Sequence, residues 1–126
     1  MSYMRVVLTA LLMLATIPAW AEWVSTSDST QAVYYLDLAI VRKDDNLRKV
    51  WELTDLKARE PKGELSYRTL IEYDCKEGRS RHLSISAHAG PMATGKALFS
   101  GSAPGKWDYA APGTAAGATL SLVCAR

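Results

Sequence analysis

From Leu65 to Ala89 the chain alternates strictly enough to leave few folds open. Leu65, Tyr67, Thr69, Ile71, Tyr73 and Cys75 fall on one side of an extended segment, and Ser66, Arg68, Leu70, Glu72 and Asp74 on the other. Period two marks a strand with one buried face. Lys76-Glu77-Gly78 supplies a tight turn. Arg79 to Ala89 then alternates again, with Leu83, Ile85 and Ala87 against His82, Ser84, Ser86 and His88. Two such runs joined by a short turn predict an antiparallel hairpin.

The flanking sequence extends this hairpin into a sheet. Trp23 to Thr26 reads as an opening strand, and Ala32 to Lys43, rich in Val, Ile, Leu and Tyr, as one or two more. Asp44-Asp45-Asn46 is a turn, because short polar side chains satisfy nearby backbone groups. Leu47 to Leu56 reads as a strand with Leu47, Trp51 and Leu53 on one side and Val50 on the other. Lys57 to Glu64 and Gly90 to Gly95 read as loops, with a short strand from Ala97 to Ser100. Gly101 to Gly113 is a Gly/Pro-rich loop holding Trp107 and Tyr109. At the C-terminus Thr114 fits a helix N-cap, and Ala116, Leu120, Val123 and Cys124 fall on one helical face. Leu120, Leu122 and Cys124 also fit a strand, and Gly117 weakens a helix; the helix is the preferred reading.

Met1 to Ala21 has the parts of a secretory signal: one basic residue, an apolar run from Val6 to Ile17, then Pro18 and Ala19-Trp20-Ala21. Cleavage is expected between Ala21 and Glu22, and the run is too short for a membrane span. Residues 22–126 then form one domain of an exported protein. In an oxidising compartment the two cysteines, Cys75 and Cys124, are expected to form one disulfide closing a loop of about 50 residues. The whole chain carries formal net charge +2, and removing Arg5 brings it near neutral. Such a balance points away from nucleic acid and from an anionic membrane surface.

Reaction chemistry is not evident. Gly90 to Lys96 has the spacing of a phosphate-binding loop, but Ala97 stands where the magnesium-binding Ser or Thr belongs, and a strand follows instead of a helix. His82 and His88, six strand positions apart, lie roughly 20 Å from one another, too far for one metal ion. Glu72 and Asp74 share a strand face about 7 Å apart, the reach of an acid–base pair, but read more simply as two solvated carboxylates. Trp51 and Tyr73 read as sheet-core aromatics. No nucleophile elbow occurs. The chain is therefore expected to be no enzyme, with no catalytic residues, metal or cofactor.

An ordered set of short motifs runs through the chain: Trp23, Tyr34-Tyr35-Leu36-Asp37 with Ile40, and Val50-Trp51-Glu52-Leu53-Thr54-Asp55. Glu72-Tyr73-Asp74-Cys75, Arg81, Met92 with Gly95, Trp107 with Pro112-Gly113-Thr114, and Val123-Cys124 complete it. Together they resemble the surface-adhesin protein E family of Gram-negative bacteria. The resemblance implies an α+β fold, a curved antiparallel sheet of about six strands with a C-terminal helix on its concave face, tied there by the disulfide. It also implies a non-enzymatic, virulence-associated binding module, since the founding adhesin binds host matrix and serum proteins, including laminin, vitronectin and plasminogen.

That adhesin carries a lipid anchor, and this chain has no lipobox cysteine, so neither lipid anchor nor membrane span is expected. Residence is expected in the periplasm or at the cell surface. The resemblance implies that matrix-binding basic residues fall between Arg79 and Lys106, so the candidate protein-binding residues are Arg79, Arg81, Lys96 and Lys106, with Trp107 beside them. The competing reading is a periplasmic structural or envelope-accessory protein. Open sheet edges would also permit a homodimer.

Overall fold

The computed structural model describes residues 22–126; the expected signal segment through Ala21 lies outside them. Eight strands precede one helix. They are β1 (Trp23–Asp28), β2 (Ala32–Asp37), β3 (Arg42–Asp44), β4 (Leu47–Leu56), β5 (Ser66–Asp74), β6 (Arg79–His88), β7 (Ala97–Ser102) and β8 (Asp108–Tyr109), followed by α1 (Ala115–Cys124). All pair antiparallel in one open sheet of order β1-β2-β4-β5-β6-β7, and the helix and disulfide stand where the sequence leads one to expect them.

The two strands beyond the expected six are short and share partners with longer ones. β4 is long enough to pair with β2 through Glu52–Leu56 and with β3 through Leu47–Lys49. The Ala32–Lys43 run therefore breaks in two, at a turn where the Asp37 carboxylate accepts the Ala39 amide at 3.3 Å. β6 is divided in the same way, with β7 beside Ser84–His88 and β8 beside Arg79–Ser80.

Cross-strand register separates the two faces of the sheet. Val50 lies opposite Ile71 and Arg48 opposite Tyr73, on the face that receives the helix. Leu36, Leu38, Val50, Ile71, Tyr73 and Val123 form the buried cluster there, with Val41 and Leu120 packed against it. Trp51 opposite Leu70 and Leu53 opposite Arg68 belong to the other face, which we call the open face. The alternation read between Leu65 and Cys75 is thus the alternation of the fold. One shift breaks it: β6 skips a residue at Leu83, so that Ser84 pairs with Leu70 but His82 with Ile71. His82 and His88 consequently do not share a face as the simple alternation implies; an extra residue in a strand reverses every side chain beyond it.

The N-terminal end of α1 bears out the Thr114 cap and explains Gly117. Thr114 caps the helix, its Oγ1 accepting the Gly117 amide at 3.1 Å. Gly117, unfavourable by helix propensity, is there because the first turn lies against the preceding loop. A Cβ at this position would sit 2.5 Å from the Ala111 carbonyl oxygen, so alanine would have to push backbone aside.

Cys75 follows β5 on the helix side, and Cys124 ends α1; the two are bonded with Cα atoms 5.8 Å apart. The bond holds Val123, which is fully buried, and Leu120 on the sheet.

Candidate functional site

The β5–β6 hairpin decides what lies at one end of the open face. Its turn sets Asp74 opposite Arg79 and Glu72 opposite Arg81. Arg79 Nε donates to Asp74 Oδ2 at 3.1 Å, and Arg81 Nη2 lies 2.8 Å from Glu72 Oε1. Both carboxylates are almost fully covered, at 4% exposure for Glu72 and 7% for Asp74. The reading of two solvated carboxylates is therefore wrong: each is an acceptor held by a cross-strand arginine beneath a loop. Burial pushes the Asp74 carboxyl up, but hydrogen bonds from the Glu77 amide and from Arg79, with the Arg79 charge, outweigh it and hold the group below the usual carboxylate range.

The covering loop is the Gly/Pro-rich segment before the helix. It is fixed to the hairpin by the Gly105 amide donating to the His82 carbonyl at 2.8 Å, the β8 pairing and the Ala110 amide donating to the Gly78 carbonyl at 2.9 Å. Trp107 is thereby laid against both arginines, with guanidinium carbons 4.5 Å (Arg79) and 4.3 Å (Arg81) from its ring centre. The loop is thus locked onto the sheet, and it also makes a surface, because Tyr109 beside it is 70% exposed. A planar cation on an aromatic face gains from the ring quadrupole while its other donors stay available.

Of the candidate residues, the structure brings together Arg79, Arg81 and Trp107, with Lys106 exposed next to Trp107. Lys96 is not with them. It lies in the loop before β7, where its carbonyl accepts the Ala89 amide, at the opposite end of β6. The Gly90–Gly95 loop there is occupied by its own fold. Its Met92 amide donates to Asp55 at 2.8 Å and its Ala93 amide to Ser66 Oγ at 2.9 Å, so these two amides are already engaged and the loop closes over the far end of the open face.

Between these two loops lies a residue that sequence reasoning assigned to the core. Trp51 projects onto the open face, half-buried, with the Arg68 guanidinium 4.1 Å from its ring centre. Val50 and Trp51 point to opposite sides of β4, and Val50 already fills the helix side. A signal was present in the sequence, since Lys49 shares the Trp51 side, where a core residue would not be expected to have a lysine neighbour. Tyr73 is a core aromatic as expected, at 5% exposure.

Comparison with known families assigns this arrangement. Residues 23–125 match the surface-adhesin protein E family. The chain belongs to that family. The match spans the whole sheet and helix, so the tethered helix and the open face are both inside the adhesin domain. No curated protein matches the chain. Among the described residues no helix is long and apolar enough to cross a membrane.

Proposed function

We propose that this adhesin-family domain is an exported, non-enzymatic binding module that recognises a protein partner through Arg79, Arg81, Lys106, Trp107 and the neighbouring Tyr109. The observation that carries the reading is Trp107 laid against two arginines by a pinned loop. Aromatic and arginine side chains that are already ordered lose little entropy on binding and are the residue types that dominate interface energetics. Glu72 and Asp74, the pair whose spacing would suit acid–base chemistry, are each engaged by an arginine, which favours positioning over proton transfer. Family membership points to the cell surface and to host matrix and serum proteins as partners. Periplasmic residence with an internal partner is the competing reading.

Immobilised laminin, vitronectin and plasminogen provide the test. The oxidised, folded domain is expected to bind at least one of them well above a reduced, unfolded control, and surface proteolysis of intact cells is expected to remove it. Binding no stronger than the control, or protein confined to the periplasm, would overturn the host-adhesion reading.

A further inference from the structure

The part of the open face left between the two covering loops holds two chemically distinct recesses, one on each side of Trp51. On one side Trp51 borders a recess of about 400 Å³ with Ser84, Ser86, Ser100 and Ser102. On the other it borders one of about 370 Å³ with Arg42, Lys49, Arg68 and Leu70, where Asp37 is the sole carboxylate. Both volumes fall in the range of small-ligand sites, roughly 300–1,000 Å³.

Register makes the serines a ladder: Ser84 pairs with Ser102 and Ser86 with Ser100 across β6 and β7. Each hydroxyl both donates and accepts. His88 Nε2 holds the Ser86 hydroxyl at 2.9 Å. Arg42, Lys49 and Arg68 have no ion-pair partner among the described residues, and Arg42 and Lys49 are exposed. Three cations line the recess against one carboxylate, and Glu72 opposite Lys49 is already held by Arg81, so the recess attracts an anion.

We propose that this surface binds an acidic saccharide, its ring against Trp51, its hydroxyls on the serine ladder and its carboxylate or sulfate in the Arg42–Lys49–Arg68 recess. A peptide fits less well. The central strands β4, β5 and β6 spend both backbone edges on ladder hydrogen bonds, and although β7 leaves an open edge, the row of serines offers hydroxyl partners where a peptide would need side-chain pockets. The site does not depend on the Trp107 patch, and failure of either leaves the other standing.

The test uses a heparin-derived hexasaccharide as probe, with a carboxylate-only hyaluronan hexasaccharide, a neutral cellohexaose and a polyglutamate peptide of matched charge, followed by NMR of the full domain. The sulfated probe is expected to shift the Trp51 indole N–H and to bind more weakly as salt rises. R42S/K49S is expected to weaken it at least about tenfold, whereas a K62S/K76S control of equal charge loss changes it by less than about twofold. Both substituted pairs are on the surface, so the fold survives to be tested. Hyaluronan binding at the same resonances assigns the carboxylate as sufficient; its absence assigns the sulfate as required. Cellohexaose is expected not to bind. Three results would overturn the proposal: no shift at Trp51, equal loss in the control pair, or polyglutamate binding as tightly at the same residues.

Discussion

Replacing Cys75 and Cys124 together by alanine is expected to remove about 4 kcal/mol of stability, from the chain entropy returned to the unfolded state by opening a loop of this length. The sequence separation is 49. Against a typical total of about 5–15 kcal/mol for a domain, that is a large share. The helix is expected to fail first. It has ten residues, no acidic residue in its first turn, no basic residue in its last, and one side-chain cap from Thr114. Isolated helices shorter than about 12–15 residues are marginal in water. Only Val123 is buried from it, with Leu120 partly so. Without the covalent tie, two apolar side chains must hold the whole element on β4 and β5. Urea titration should show a lower midpoint for the double variant, with amide exchange at Leu120–Val123 accelerating more than at Ile71. A loss under about 1 kcal/mol would show that packing alone secures the helix.

The second large effect is set by pH. Glu52 lies on the helix side of β4, facing Leu36 on β2 and Thr69 on β5. Among the described residues its carboxylate has no ion-pair partner. Desolvation raises its pKa from 4.5 to about 7, and its charge also pushes the neighbouring Tyr73 hydroxyl upward, after burial has done so. The folded state therefore favours the protonated acid. Its stabilising contribution is fully present below about pH 4.5 and is lost as pH rises through about 7. At roughly 1.4 kcal/mol per pKa unit, the swing is about 3 kcal/mol. Glu52→Gln keeps the shape and removes the titration. The stability difference between variant and wild type should thus shift in favour of the variant by about 3 kcal/mol between pH 4.5 and pH 8. Denaturation midpoints that stay parallel across that range would mean that the carboxyl is solvated in the folded state.

Much of the fold is legible because period-two patterning survives wherever one face is buried. Leu47–Leu56, Leu65–Cys75 and the Thr114 cap are recovered with nearly the right bounds, since each depends on local chemistry: alternation, turn residues and a hydroxyl at a helix start. What was not legible depends on partners distant in the chain. β3 and β8 are two or three residues long and exist because β4 and β6 have unpaired lengths beside them. The skip at Leu83 reverses His82 with no marker in the sequence.

The site was half legible. Arg79, Arg81 and Trp107 are grouped by what the family resemblance implies, but Lys96 could not be separated from them without knowing that β6 runs the length of the sheet. The pairing of Glu72 with Arg81 and of Asp74 with Arg79 was within reach. Once Lys76-Glu77-Gly78 is taken as the turn, counting outward sets each acid opposite a base. Trp51 was lost to the general preference of large aromatics for the core, although Lys49 and Arg68 beside it were signs of a wet face.

The proposed function rests on one division of labour: the tethered helix fills one side of the sheet, which leaves the other side for recognition. The direct test is hydrogen exchange on the folded domain, free and saturated with whichever of laminin, vitronectin or plasminogen it binds, alongside a Trp107→Ala variant. Protection is predicted at Arg79–Arg81 and Lys106–Tyr109, with helix residues 115–124 unchanged and affinity reduced at least about tenfold in the variant. Protection confined to the helix, with full affinity retained by Trp107→Ala, would contradict the account.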